Sequence, residues 1–221
     1  MNIILIWREM WRGKDLYRIF MNEECSREAI GGKVLDVGSG KTLASYHRFL
    51  KQEPNTQIEC LDLGFEKNGG GGKSIDLEKD ALPHAAGSVD AVLLFNVLEH
   101  LYNHRLVLSE IKRALKSGGQ FIGVVPFLVS YHPDPHDYWR YTKETLQKIF
   151  REVGFTDIQI RPFGFGPASA AFLQLEMALP RVLKIILIPG VLCLDWVITK
   201  LRPGLGEKKF SLGLFFKATH E

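Results

Sequence analysis

Two stretches of this chain hold residues whose types and spacing can do chemistry. The first is Gly38-Ser39-Gly40, which closes the apolar run Val34-Leu35-Asp36-Val37. Glycines at the carboxyl end of a buried strand let backbone N–H groups approach a ligand closely, so this turn reads as the cradle of a small cofactor. Asp36 stands inside the strand, where an unpaired carboxylate is costly, and its partner is expected in the turn or in the ligand. The second stretch, Tyr131 to Thr142, gathers His132, His136, Asp134, Asp137 and Arg140 among prolines and aromatics. It reads as a substrate-binding loop with His132, His136 and Asp137 as candidate catalytic residues. Either imidazole, titrating near neutrality, suits removal of a hydroxyl proton. The spacing i, i+4, i+5 of these three in a proline-rich loop is a poor metal set, and no metal is expected there.

Position counting narrows the glycine turn. Gly40-Lys41-Thr42 imitates the end of a triphosphate-binding loop, but the first glycine of that motif falls on Leu35, in mid-strand. The dinucleotide fingerprint Gly-x-Gly-x-x-Gly fails at its third glycine, where Leu43 stands. The turn therefore needs partners elsewhere in the chain to define its ligand.

Those partners depend on the elements that carry them. Strand signals fall near 33–37, 57–62, 73–75, 89–95, 119–125 and 156–161, and helix signals near 42–51, 103–116 and 142–153. This alternation predicts a parallel sheet with helices on both faces. Residues 208–217 read as a final strand pairing antiparallel with 156–161, and residues 3–30 as a helical extension packed outside the core. The helix at 103–116 is expected to stop at Lys116-Ser117-Gly118-Gly119, and Thr142 to cap the next one. Gly69 to Gly72 reads as a flexible connector.

Acids and polar groups recur at the strand ends. Asp62 ends the second strand, where a carboxylate can accept both hydroxyls of a ribose. Asp76-Leu77 follows the third, and Asn96-Val97-Leu98-Glu99-His100 follows the fourth. The carboxyl edge of an open α/β sheet is where such folds bind ligands.

Length and composition set the outer bounds. The 221 residues suffice for one domain with elaborations, and a net charge of +3 is too balanced to imply a nucleic-acid partner. Cys25, Cys60 and Cys193 lack metal-type spacing and read as reduced thiols of a cytoplasmic protein. The apolar part of Met1–Arg8 is too short for a signal peptide, and its charges follow the apolar residues. Residues 167–203 interrupt the α/β order with a hydrophobic helical insertion. Its uncharged run Ile185–Leu194 is broken by Pro189 and Gly190 and is shorter than the ~20 residues of a spanning helix. Three readings fit it: a hairpin closing over the site or core, a peripheral membrane contact with cationic rims, or a homodimer interface.

Together, Val-Leu-Asp-Val-Gly-Ser-Gly at 34–40, Leu-Asp-Leu at 61–63, Asp-Leu at 76–77, Asn-Val-Leu-Glu-His at 96–100 and Leu-Lys-Ser-Gly-Gly at 115–119 resemble the class I S-adenosylmethionine-dependent methyltransferases, in particular their methyltransferase-domain 11-like group. The resemblance covers roughly 30–160 and the closing strand. It implies a Rossmann-like three-layer sandwich whose mostly parallel seven-stranded sheet has an antiparallel last strand. It implies S-adenosyl-L-methionine as cofactor. Asp36, Gly38, Ser39 and Gly40 would hold the methionine part, and Asp62 the ribose. Leu63, Asp76 and Leu77 would line the adenine, and Asn96 and Val97 the methyl end. The string His-x-x-Pro-x-Asp-x-x-Arg-Tyr-Thr at 132–142 resembles a segment of methyltransferases acting in cell-surface polysaccharide metabolism. A small-molecule or saccharide-linked acceptor follows from that likeness. A nicotinamide-dependent oxidoreductase and a non-catalytic binding module of the same fold are the alternatives.

Overall fold

The computed structural model describes residues 3–40, 44–62 and 72–221. In chain order the elements are α1 (Ile3–Trp11), α2 (Leu16–Cys25), β1 (Ala29–Ile30), β2 (Lys33–Val37), β3 (Lys51–Gln52), β4 (Gln57–Asp62), β5 (Gly72–Ser74), β6 (Val89–Phe95), α3 (His104–Ala114), β7 (Leu115–Pro126), α4 (Lys143–Val153), β8 (Thr156–Phe163), α5 (Pro167–Glu176), α6 (Arg181–Leu201) and β9 (Gly213–Thr219). The main sheet has seven strands in the order β5-β4-β2-β6-β7-β9-β8. Neighbours are parallel except β9, which runs antiparallel to both β7 and β8. The expected final strand therefore pairs with two partners rather than with β8 alone.

Strand periodicity divides the interior into two cores. On β6, Val92 and Leu94 face one side with Val107, Ile111, Leu146 and Phe150 of α3 and α4. Ala91, Leu93 and Phe95 face the other, beneath Ile6, Leu16, Phe20, Phe172 and Ile188 of α1, α2, α5 and α6. The protein is a Rossmann-like three-layer α/β sandwich.

Three sequence expectations about elements are corrected. The helix foreseen at 42–51 is a single 3-10 turn, Ser45–Arg48, followed by β3. Its side chains Tyr46 and His47 are drawn inward to Asp36. The helix at 103–116 ends at Ala114, because Leu115 already pairs with Val89 in the sheet. Pro189 does not break the insertion. Helix α6 runs unbroken for 21 residues, with Ile188 and Leu192 buried beneath it, and that docking offsets the ~3 kcal/mol a helix-interior proline costs.

Candidate active site

The carboxyl ends of β2, β4, β5 and β6 lie along one edge of the sheet and carry most of the cofactor residues the sequence suggests. Gly38 and Gly40 both have positive φ, 74° and 77°. At Gly38 a Cβ would stand 2.3 Å from Val97 Cγ2, so the turn lies directly against the segment after β6. At Gly40 a Cβ would meet nothing within 4 Å, so the turn opens on unfilled space. Asp62 Oδ2 accepts the Gly40 N–H at 2.8 Å, which ties the end of β4 to the turn after β2. Ser39 is buried between them. Leu63 lies outside the described residues, as do Lys41 and Gly69 to Gly71.

Asp36 is fully buried and its carboxylate is satisfied from within the chain. Tyr46 Oη donates to both of its oxygens, at 2.9 and 2.8 Å, and His47 Nε2 lies 2.6 Å from Oδ2. The partner expected in the turn or the ligand is thus a Tyr-His pair on the 3-10 turn beyond it. Tyr46 also stacks on Phe95, with ring centroids 4.2 Å apart, so this carboxylate clamps the floor beneath the glycine turn.

Asp76 sits at the mouth of a local turn. Its Oδ1 accepts the Glu78 N–H at 3.0 Å and its Oδ2 meets Lys79 Nζ at 2.8 Å. The Lys79 ammonium and that N–H hold its carboxyl below the usual range. Leu77 turns inward to the core. Asn96 is one of the described non-glycine residues with positive φ, 55°. Its side chain accepts a short hydrogen bond from Tyr17 Oη and its Nδ2 approaches Met21 Sδ at 3.6 Å. Helix α2 therefore roofs the end of β6. Tyr17 had no sequence signal, since its partner is 79 positions away. Burial pushes the Tyr17 phenol up, with the Glu99 carboxylate adding to the effect, so it remains a donor.

The loop before α4 brings His132 against Asp137, with His132 Nδ1 3.5 Å from Asp137 Oδ2, and leaves His136 apart. Asp137 is nearly fully buried and accepts both Arg140 guanidinium nitrogens, at 2.5 and 2.8 Å, together with the His132 N–H. The Arg140 guanidinium lowers its pKa to about 2, so Asp137 is a fixed counter-charge. The His136 ring is exposed and lies against Tyr138, 5.2 Å between centroids. His132 points inward: its Nδ1 bonds the Ser130 carbonyl at 2.8 Å and its Nε2 lies 3.7 Å from Glu99 Oε1. That carboxylate raises the pKa of His132 against the opposing effect of partial burial. Several aromatics of the loop are structural. Trp139 Nε1 donates to the Leu101 carbonyl and Tyr141 Oη to that of Leu98. Thr142 caps α4 through the Thr145 N–H.

A polar hollow at the opposite edge of the sheet, lined by Gly31, Gly32, Asp90 and Lys116 to Gly119, lies away from these strand ends. Its charges are satisfied by the Asp90–Lys116 ion pair.

Residues 35–123 match the family described as "Methyltransferase domain". No curated protein sequence matches the chain. Among solved structures, it resembles phosphoethanolamine N-methyltransferase 2 of Haemonchus contortus in complex with phosphomonomethylethanolamine and S-adenosylhomocysteine. That match has 16% identity and a TM-score of 0.54, and covers 90% of this chain and 52% of the other. The chain thus spans about half the length of that relative. A SAM dependent methyltransferase from Archaeoglobus fulgidus is 16% identical with a TM-score of 0.54, covering 99% and 94% of the two chains. The methyltransferase bound to the Trm112 methyltransferase activator of Haloferax volcanii is 16% identical with a TM-score of 0.55, covering 91% and 88%. Residues 35–123 thus match a methyltransferase domain, and the chain shares its fold with the solved methyltransferases it resembles.

Proposed function

We propose that this protein moves a methyl group from S-adenosyl-L-methionine to a small-molecule or saccharide-linked acceptor. The observation that carries the reading is the convergence of the open Gly38–Gly40 turn, Asp62 and Asn96 along one sheet edge. The donor set fits the cofactor: a close-approach glycine turn for an amino-acid moiety and a strand-end carboxylate for a ribose. Bound S-adenosylmethionine supplies an electrophilic methyl group on a sulfonium. The chain's own contribution is largely position and orientation, which suit an in-line displacement. Gly38 and Gly40 admit the cofactor backbone, and Asp62 orients its ribose. Asn96, fixed by Tyr17, borders the methyl end. On the acceptor side the inward-facing His132, next to Glu99, is the group placed to take a hydroxyl proton, while Asp137 and Arg140 hold its loop. Calorimetric titration of the chain with S-adenosylhomocysteine and with reduced nicotinamide cofactors tests this. Saturable binding of the first alone is expected, and nicotinamide binding in its place would reverse the assignment.

A second reading concerns location. Helices α1 and α6 pack together and turn apolar side chains outward, including Ile4, Trp7, Trp11, Leu183, Ile186, Leu187, Leu194 and Trp196, with Ile4 70% and Ile186 65% exposed. Arg8, Arg12 and Lys200 rim it, the last over the Trp196 ring at 4.9 Å. Helix α6 is long and apolar enough to cross a membrane. One of its faces is nevertheless committed to the domain, with Asp195 buried and accepting the Ala168 and Ser169 N–H groups at 2.7 and 2.8 Å. An apolar face with tryptophans and a cationic rim favours docking on an anionic lipid surface, which would bring a lipid-linked acceptor to the site. The protein should float with phosphatidylglycerol vesicles, and Ile186→Asp should abolish flotation. A dimer by light scattering that does not float would assign the face to a second copy.

A further inference from the structure

Glu99 is the least explained buried charge in the molecule. It is fully buried, and neither carboxylate oxygen has a hydrogen-bond partner among the described residues. Only its backbone carbonyl is used, by the Tyr138 and Trp139 N–H groups. A buried carboxylate left without compensation costs several kcal/mol, so something cationic is required beside it. The nearest groups are two imidazoles. His100 Nε2 and His132 Nε2 each lie 3.7 Å from Glu99 Oε1.

The far sides of both rings settle what their near sides present. His100 Nδ1 bonds the His136 carbonyl at 2.5 Å, and His132 Nδ1 bonds the Ser130 carbonyl at 2.8 Å. A carbonyl only accepts, so each Nδ1 carries the proton. In the neutral rings each Nε2 is then a bare lone pair. Two lone pairs and a carboxylate converge with no hydrogen among them. With both rings neutral this arrangement is repulsive, and it becomes favourable once a cation sits between the three donors. Backbone carbonyls fixing the remote nitrogens are also how metal-ligating histidines are held.

We infer that Glu99, His100 and His132 bind one divalent transition-metal ion beside the methyl-transfer cleft. Their donor atoms all lie within 4.8 Å of one another. Around an ion with ligands at ~2.1 Å, such atoms stand roughly 3.4 Å apart, so a contraction of at most about 1.4 Å completes the set. Two imidazoles and one carboxylate, leaving coordination positions open, form the donor set of catalytic zinc and ferrous sites. The set differs from the one the loop sequence offered. The Asp137 carboxylate is taken up by Arg140, and His136 contributes its carbonyl rather than its ring. With the ion in place, His132 is a ligand in place of the base role proposed above, and an oxygen acceptor would be made nucleophilic by coordination.

The test uses the full chain, stripped with a chelator and titrated calorimetrically with ZnCl2, then with MgCl2. One zinc per chain is expected, with a raised melting temperature and little response to magnesium. His132→Ala, at a half-exposed position, and the isosteric Glu99→Gln should each weaken zinc binding by at least about 100-fold, with far-UV circular dichroism showing that they fold. His136→Ala should bind as the native chain does. Absence of stoichiometric zinc binding, equal binding by His132→Ala, or a preference for magnesium would each overturn the inference. A protonated His132 paired with Glu99 would then be the compensating cation. None of these readouts depends on methyl transfer, so the cofactor assignment stands or falls separately.

Discussion

Replacing Glu176 with glutamine should make the protein more stable, and more so as pH rises. Glu176 ends α5 with 1% of its surface exposed. Its Oε1 accepts the Leu16 N–H at 3.1 Å, at the start of α2, while its Oε2 is buried without a partner among the described residues. Burial pushes its pKa from 4.5 up to about 7, the Asp15 carboxylate adding to the rise and the Leu16 N–H opposing it. The folded chain therefore holds this proton more tightly than the unfolded chain. The associated stability is fully present below about pH 4.5 and is lost as pH climbs to about 7. A shift of about 2.5 units corresponds to about 3 kcal/mol. Glutamine keeps an oxygen for the Leu16 N–H and removes the charge. Urea denaturation from pH 5 to pH 8 should show Glu176→Gln more stable than the native chain by about 3 kcal/mol at pH 8 and by under about 1 kcal/mol at pH 5. Parallel curves for the two proteins, or a less stable variant at pH 8, would refute the argument.

Gly38→Ala places a Cβ 2.3 Å from Val97 Cγ2 at φ 74°, and should weaken S-adenosylhomocysteine binding by more than about tenfold while costing on the order of 1–3 kcal/mol of stability. Gly40→Ala, with open space around its Cβ, should cost less stability, and an equal loss in the two variants by denaturation would contradict the packing difference. Asp36→Asn breaks the buried link to His47 and should lower stability by about 2–4 kcal/mol, read as a reduced urea midpoint at unchanged slope. His132→Ala should reduce turnover by about 100-fold or more whereas His136→Ala stays within about twofold. The reverse ranking would put the chemistry on the exposed ring.

The legible parts of the sequence were those governed by local periodicity. Lys33–Val37 and Val89–Phe95 read as strands because each is a short apolar run buried on both faces, while Gln57–Asp62 alternates polar and apolar residues and is mostly half-buried. The strand-end acids followed from the same reading. What stayed illegible depends on contacts between distant positions. Residues 42–51 space their apolar groups as a helix does, and nothing local signals that Tyr46 and His47 will be pulled onto Asp36. Tyr17 and Asn96, like Glu99 and His132, meet only when the sheet and its covering helices are assembled. Proline in α6 carried the wrong local message, since a docked apolar face tolerates the hydrogen bond it removes.

The position of β9 has a consequence for the order in which the molecule can be built. It is last of the strands in chain order, yet it lies between β7 and β8, with Gln120 facing Thr219 and Thr156 facing the same residue from the other side. Until β9 exists, β8 has no neighbour in the sheet and β7 presents an unpaired edge. Closing the sheet is therefore a long-range step taken after α5 and α6 have been made, and such steps are slow. During that interval the nascent chain exposes an open strand edge as well as the apolar surface of α6. Early capture of α6 by a lipid surface would shield one of these two sticky features while the other waits for its partner.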